Sequence, residues 1–499
     1  MLIRNGEAGR IGMRQVVSVI SGLSFCLAFL LPTPTVANPD AASPTAGDDQ
    51  ILVETIRATV GDPLKSIVDN ARDIEALRTF YSARNNAPVF VRPDGPTEKM
   101  RAAISRLKAA DQDGLNSSDY QTPAIEGISP EKLVRAEISL MSTVLKYARH
   151  AQSGRVDPSR ISINIAFTPP VPDPLQVLNA ISESVDVAAV LDNYNPPHSG
   201  FQELRTKLRE LRASSEAKPV RTNASTIESV ISNMERWRWL PRDLGDAYVL
   251  VNIPDYTLTV FRGGRNSFHT RIVVGKKDTP SPIFSDEIES VQINPTWHVP
   301  PAVLARNPGM VGRGDFLVSR RRDGTVGASQ RPGPKNALGQ IKVNFPNPFL
   351  VYLHDTPDKH LFKLEKRAYS SGCMRVENPD QFAALILSIS SSEGKYTPTQ
   401  LKSLYGKGER YISLPARVPV YLVYMNAYVA DGRLVVKPDI YDYDARVQSA
   451  LKGRYLVVQE RSQRGSSVHR SARANSSQRP YRIRELSTFT GRRSVFGFF

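Results

Sequence analysis

The spacing of apolar residues changes once along this chain of 499 residues, near Gly245. Before that point apolar residues recur three or four positions apart, as in Met100, Ile104 and Leu107, which is the spacing of an amphipathic helix. After it, runs such as YVLVNI (248–253) alternate with period two, as half-buried strands do. The pattern predicts an α+β protein, with a mostly helical domain over residues 51–215 and a mainly β, sandwich-like domain over residues 227–445.

Polar stretches set the predicted limits of the linkers, the lid and the tail. Residues 38–50 are predicted to be a linker, and so are residues 212–225, RASSEAKPVRTNAS. Residues 301–337 hold six glycines and seven Lys or Arg against two Asp, which predicts a basic lid over a site rather than a core element. Residues 453–499, rich in Ser and Arg, are predicted to be a disordered basic tail.

The first 37 residues resemble an export signal. Three arginines, Arg4, Arg10 and Arg14, precede the apolar stretch Val16–Leu31, and the small residues Thr35–Ala37 form a cleavage site. Met13 is an alternative start. The apolar stretch falls short of the roughly 20 residues that span a bilayer, so we expect a cleaved signal, export to the periplasm and no transmembrane segment in the mature chain.

The formal net charge of +16 indicates an anionic partner. Residues 461–499 alone hold nine arginines and one acid, Glu485. Nucleic acid does not suit an exported chain, so an anionic envelope polymer or a membrane surface is the expected partner.

Only two cysteines are present, Cys26 and Cys373, and removal of the signal leaves Cys373 as the only thiol. An unpaired thiol in an oxidising compartment is a liability unless it is buried or used. The neighbouring residues favour use. The strand PFLVYLH places the side chains of Tyr352 and His354 on one face, because strands alternate with period two.

Nineteen positions after His354, the loop SSGC carries Gly372 immediately before Cys373. Glycine permits a tight turn, in which we expect the backbone N–H groups of Ser371, Gly372 and Cys373 to converge as an oxyanion hole. These residues supply a nucleophile, a base and oxyanion donors, which together point to acyl transfer through a cysteine.

The same motifs identify a family. HDTP (354–357) followed by SSGCMR (370–375) resembles the signature of the L,D-transpeptidase catalytic domain, and INPTWHVP (293–300) and GPKNALG (333–339) also look like that family. The helical region resembles, more weakly, the scaffold domain of the large periplasmic members. Only 22 residues separate Leu211 from Met234, so the small peptidoglycan-binding module of many large relatives is not expected there.

The resemblance implies roles for individual residues. Cys373 would be the nucleophile and His354 the general base, with Tyr352 as a further candidate oxyanion donor. Trp297, Arg375 and Asn336 would bind substrate, and Arg375 could instead order the loop. The implied enzyme needs no cofactor or metal. It would release D-Ala from a peptidoglycan tetrapeptide stem and form 3-3 cross-links, and carbapenems would acylate it.

Other interpretations stay open at this point. The acyl-enzyme could transfer to water or to an envelope protein instead of a stem amine, because the sequence does not fix the acceptor. A wall-binding scaffold with a buried Cys373 would have no activity. A metal site of His354, His360 and Cys373 has spacings that match no ordinary zinc pattern.

Overall fold

The computed structural model describes residues 46–124, 129–217, 221–312, 314–320, 322, 324–391 and 396–455. The predicted signal peptide and nearly all of the predicted tail lie outside these residues. The first helix begins at Ala46, so the predicted linker 38–50 is wrong over its last five residues. Asp48 and Asp49 lie in the first turn, where carboxylates favour a helix through its dipole.

The N-terminal half is helical, as predicted. Its helices are α1 Ala46–Thr59, α2 Ala71–Ala83, α3 Glu98–Lys108, α4 Pro130–Ser153, α5 Pro174–Glu183, α6 Val187–Asp192, α7 Ser199–Ala217 and α8 Arg221–Trp237. The C-terminal half adds α9 Pro301–Arg306, α10 Pro379–Ser390, α11 Pro398–Lys402 and α12 Tyr443–Leu451. Short 3-10 helices cover Asp62–Ser66, Ala110–Asp113, Ser117–Asp119, Pro158–Arg160, Pro308–Gly312 and Lys359–Lys363. None of the described helices is both long and apolar enough to cross a bilayer.

The longest helix, α4, organises the helical part. Ser129 caps its first turn by accepting a hydrogen bond from the Lys132 N–H, and Pro130 occupies the first helical position. Its buried face includes Leu133, Leu140, Val144 and Tyr147, spaced seven, four and three residues apart and so on one side of the helix, as the sequence predicts.

The predicted linker at 212–225 is largely helical, which corrects the prediction. α7 continues to Ala217 and α8 starts at Arg221. The two helices pack through a small core of Phe201, Leu204, Leu208, Val230 and Met234. Polar residues on the outer faces of this pair gave the segment a linker-like composition.

The C-terminal half is mainly β. Its strands are β3 Ala247–Asn252, β4 Thr257–Arg262, β5 Arg265–Gly275, β6 Phe284–Ile293, β7 Trp297–His298, β8 Phe316–Arg320, β9 Val326–Gln330, β10 Ile341–Asn344, β11 Leu353–His354, β12 Ala368–Ser370, β13 Met374–Val376, β14 Arg410–Val423, β15 Ala427–Ala430 and β16 Arg433–Val436. β1 Val91–Arg92 and β2 Gly95–Pro96 form a short pair among the helices. The predicted order of a helical part followed by a mainly β part is confirmed.

Nine strands form one sheet in the order β12-β5-β13-β11-β10-β6-β14-β3-β4. Because β5 also pairs with β4, the sheet closes on itself. β10, β11 and β13 lie side by side in it, and α10 covers one face with Phe382, Ala383 and Ile386 fully buried.

Residues 301–337, predicted to be a basic lid rather than a core element, contain regular structure. They contain α9, β8 and β9, and β9 pairs with both β7 and β8. Val299, Leu304 and Ala328 form a small core there. The abundance of Gly and Arg hid this core, because the strands are short and β8 is mostly solvent-exposed.

A buried ionic network joins the C-terminal end of α8 to the rest of the helical part. Arg238, fully buried, donates hydrogen bonds to the carbonyl oxygens of Ala151 and Asp113, at 3.1 and 2.6 Å, and to Asn195 Oδ1 at 3.2 Å. Its guanidinium lies 3.9 Å from the buried carboxylate of Glu235. The hydrogen bonds to backbone oxygens compensate much of the cost of burying these charges.

His150 gives the fold a testable pH dependence. Its Nδ1 is 3.1 Å from the Tyr120 hydroxyl, and burial, followed by the nearby Arg155, lowers its pKa to about 3. In the unfolded chain it titrates near 6.5, so between these values the unfolded state binds more protons and stability falls as the pH falls. We expect His150→Gln to make the fall in unfolding free energy between pH 7.5 and pH 5 shallower, by up to about 1.4 kcal/mol per pH unit.

Urea unfolding at both pH values measures this difference. His269→Gln, which replaces an exposed histidine, is the matched control and should follow the wild type. Parallel pH profiles for wild type and His150→Gln would contradict the expectation.

Candidate active site

Two short parallel strands bring the predicted site residues together. β11 pairs with β13 so that Leu353 lies opposite Met374 and His354 opposite Arg375. Leu353 and Met374 are fully buried in the core. Since side chains alternate along strands, His354 and Arg375 lie on the other face of the sheet.

Tyr352 and His354 are neighbours on this face, as the spacing predicts. Their ring centroids are 5.6 Å apart, with the rings at 67°. Hydrogen bonding from the backbone and the hydroxyl of Tyr352 acts to lower the pKa of the Cys373 thiol. Tyr352 is therefore a neighbour of both the thiol and the His354 ring.

The His354 ring is oriented by the next residue along the chain. Nδ1 donates a hydrogen bond to the backbone carbonyl of Asp355, which leaves the lone pair on Nε2. Burial, followed by the positive charges of Arg375, Lys342 and Lys359, lowers the His354 pKa to about 3. The imidazole is thus neutral near pH 7 and able to accept a proton.

Asp355 itself was not singled out in the sequence. Its carboxylate accepts hydrogen bonds from the Gln340 and Thr356 N–H groups and forms an ion pair with Lys359. Gly339, with φ of +60°, passes so close that a Cβ there would lie 2.3 Å from this carboxylate. The close approach explains a glycine at this position and fixes the carbonyl that orients His354.

The thiol of Cys373 is half-buried, and it is the free cysteine among the described residues. Burial raises its pKa, while hydrogen bonds from Tyr352 and the positive charges of Lys342 and Arg375 act in the opposite direction. Ionisation therefore depends on these donors and cations. The environment fits a used thiol better than an inert buried one.

The loop around Gly372 differs in one respect from the predicted oxyanion hole. The Gly372 N–H donates to Ser370 Oγ at 3.1 Å, so in this conformation it is not available to a substrate. Ser370 in turn donates to the Cys373 carbonyl at 2.6 Å. Within the described part of the chain, the N–H groups of Ser371 and Cys373 have no acceptor, and these two remain as candidate donors.

Gly372 has φ of +120°, a conformation that side chains with a Cβ disfavour. We expect Gly372→Ala to reshape this loop at a cost of about 1–3 kcal/mol and to slow alkylation of Cys373. Urea unfolding and the rate of thiol labelling measure the two effects. Gly309→Ala, where a Cβ meets nothing within 4 Å, is the matched control and should change neither. Unchanged stability and labelling in Gly372→Ala would contradict the expectation.

The three predicted substrate-binding residues have different surroundings. Trp297 packs on Phe316 of β8, and hydrogen bonding from it acts to lower the pKa of Tyr352, so it lies at the site. Arg375 forms a 2.8 Å ion pair with Asp358, which orders the loop after β11.

Asn336 corrects the prediction. It is buried, its amide donates to the carbonyls of Pro295, Gln330 and Arg331, and its Oδ1 accepts from the Leu338 N–H. Its polar atoms hold the loop between β9 and β10, so it is not available to bind substrate. The motif GPKNALG therefore contains a residue that supports the loop through its hydrogen bonds.

Lys342 was missed in the sequence. It lies on β10 opposite His354, and its Nζ is 4.3 Å from the centre of the Tyr352 ring. The signal was present, because Ile341 and Val343 on either side are buried and place Lys342 on the face that carries the site. Among the described residues, no group of three or more His, Cys, Asp or Glu side chains could hold a metal ion.

Comparison with known proteins accounts for this arrangement. Residues 246–408 match the family model of the L,D-transpeptidase catalytic domain. This region is an L,D-transpeptidase catalytic domain. Residues 75–208 match a scaffold domain, in agreement with the helical part.

A curated relative also carries the name of an L,D-transpeptidase. It comes from Haemophilus influenzae and is 28% identical over 257 residues, which cover 46% of this chain and 51% of the relative. The match thus spans about half of the relative.

Solved L,D-transpeptidases are more distant. The catalytic domain of the Enterococcus faecium enzyme has 19% identity and a TM-score of 0.17, covering 36% of this chain and 97% of its own. The Stackebrandtia nassauensis enzyme has 12% identity and a TM-score of 0.17, covering 68% of this chain and 97% of its own.

Proposed function

We propose that this protein is a periplasmic peptidoglycan L,D-transpeptidase that forms 3-3 cross-links. The observation that carries the proposal is that Tyr352 neighbours both the Cys373 thiol, whose pKa it acts to lower, and a neutral, oriented His354, inside a region that matches the L,D-transpeptidase catalytic domain. A wall-binding protein without activity would not need a half-buried thiol whose ionisation is favoured by Tyr352, Lys342 and Arg375.

In the first half-reaction the Cys373 sulfur attacks the carbonyl between the third residue of a tetrapeptide stem, a diamino acid, and the terminal D-Ala. His354 takes the thiol proton on Nε2, and the carbonyl oxygen becomes an oxyanion. The N–H groups of Ser371 and Cys373 are the candidate donors to that oxyanion, and Tyr352 can add its hydroxyl once the sulfur is acylated. The C–N bond then breaks, His354 returns the proton to the amine, and D-Ala leaves.

In the second half-reaction the side-chain amine of another stem attacks the thioester. His354 removes a proton from the amine, the C–S bond breaks, and the sulfur leaves as thiolate or, after protonation, as thiol. The product is an amide between two stems. Two half-reactions through one acyl-enzyme imply ping-pong kinetics.

Two acceptors compete with the stem amine. Water would release a tripeptide, and a protein amine would attach an envelope protein to the wall. The described residues hold no feature that favours either, so the stem amine remains the proposal. Export by residues 1–37 and contact of the basic tail with an anionic envelope partner belong to the same proposal.

Mass spectrometry of the full chain with purified tetrapeptide muropeptides tests the function. We expect a tripeptide adduct on the peptide that contains Cys373, free D-Ala, and a tetrapeptide–tripeptide dimer as the main product. Tripeptide without dimer would favour hydrolysis, and an adduct on an added protein amine would favour anchoring. Unchanged tetrapeptide with no adduct would refute the proposed chemistry. A carbapenem adduct on the same peptide is expected as well.

A further inference from the structure

One charged side chain of the site has no part in the chemistry described so far. Lys342 shares a face with Tyr352 and His354, half-buried in the middle of the closed sheet. We propose that Lys342 is a positioning residue whose ammonium group stabilises the thiolate form of Cys373 through the Tyr352 ring that separates them. The inference rests on the proposed role of Cys373 as nucleophile.

Geometry is the first argument. The register of β10 against β11 places Lys342 directly opposite His354, and Nζ lies 4.3 Å from the Tyr352 ring centre. Hydrogen bonding from the hydroxyl of this ring acts to lower the pKa of the Cys373 thiol. An ammonium group over the ring polarises the phenol, which makes its hydroxyl a better donor to a negative sulfur.

The lack of a direct counter-ion is the second argument. Within the described ranges, Lys342 has no carboxylate within 4.0 Å, and the acid that interacts with it at longer range is the exposed Glu409. Burial lowers the Lys342 pKa, whereas interaction with Cys373 and then Glu409 raises it. A half-buried ammonium group without a close partner is stabilised by a negative charge nearby, and an ionised Cys373 supplies that charge.

The charges around His354 are the third argument. Arg375 from β13, Lys342 from β10 and Lys359 from the following loop all disfavour a positive imidazole. Ionisation of the thiol therefore cannot depend on an imidazolium partner alone. The same cations favour a negative sulfur, and Lys342 is the one placed over the phenol that bonds to it. In the substrate-free protein the proton released on ionisation goes to solvent, whereas during acylation His354 takes it.

The pH profile of iodoacetamide labelling tests the role in the full chain. Thiolates react and thiols do not, so the labelling rate follows ionisation. Quantifying the peptide that contains Cys373 separates it from Cys26. At pH 7 we expect Lys342→Met to label about tenfold more slowly, the effect of one unit of thiol pKa, with the whole profile moved to higher pH.

Two variants control the interpretation. Lys342→Arg keeps the positive charge and should stay within about twofold of wild type. Lys452→Met removes an exposed lysine that pairs with Glu228. Its labelling rate should also stay within about twofold of wild type. If Lys342→Met does not fold, Lys342→Gln carries the same expectation.

A Lys342→Met profile that overlays the wild type would overturn the proposal. So would a Lys342→Arg profile that moves as far as Lys342→Met while its unfolding midpoint is unchanged, because charge would then not be the cause. Labelling needs no peptidoglycan, so a shifted profile in a protein without transpeptidation would overturn the proposed function and keep the role of Lys342.

Discussion

Replacing Cys373 with alanine is expected to abolish cross-link formation, with the rate falling at least about 10³-fold, to background. No other described side chain can form the thioester, because Cys373 is the free cysteine of the described residues. The Tyr352 donors and the orientation of His354 should persist, since neither depends on the sulfur for its backbone position. The measurement is the dimer yield from tetrapeptide muropeptides over time.

Cys26→Ala is the matched control, because it removes the other cysteine of the chain. In a preparation that retains residues 1–37, this variant should keep wild-type turnover. Dimer formation by Cys373→Ala above background would place the nucleophile elsewhere and refute the proposed mechanism.

Arg238→Met is expected to destabilise the protein by about 3–5 kcal/mol, the usual cost of removing one partner from a buried charge cluster. The change leaves the buried carboxylate of Glu235 without its cation and two carbonyl oxygens without a donor. Because these partners belong both to α8 and to the rest of the helical part, the loss should weaken the contact between them. The midpoint of urea unfolding measures the effect.

Arg101→Met provides the comparison. Arg101 is an exposed arginine that pairs with Glu98 three residues earlier, and surface pairs of this kind contribute at most about 1 kcal/mol. Arg238→Lys should have an intermediate unfolding midpoint. Its ammonium group keeps the charge but cannot reach all the oxygens to which the guanidinium fork donates hydrogen bonds. Equal midpoints for Arg238→Met and Arg101→Met would show that the buried network contributes little.

The sequence predicted the centre of the site because that part depends on local rules. Period two in a strand places Tyr352 and His354 together, and the glycine of SSGC predicts a tight turn, which Gly372 confirms with its positive φ. The change of period near Gly245 predicted the order of the helical and β parts. Each of these inferences uses residues close together in the chain.

What escaped prediction depends on contacts between distant segments. Lys342 reaches the site through strand register, and the Asp355 carbonyl contributes a backbone atom, which side-chain motifs do not reveal. Asn336 matched a family motif, yet its hydrogen bonds go to backbone carbonyls of its own loop and of Pro295. The helices at 212–225 were obscured because their apolar faces are narrow and their outer faces polar.

The long strand β14, Arg410–Val423, lies between β6 and β3 in the closed sheet, with pairs from Arg410 opposite Ile293 to Leu422 opposite Phe284. It begins beyond residue 408, where the match to the catalytic-domain family ends. A fragment cut at the family limits would therefore lose an interior strand and expose the edges of both neighbours to aggregation. Fragments of this catalytic domain made for expression should extend through α12, whose residues Tyr443 and Val447 belong to the same core.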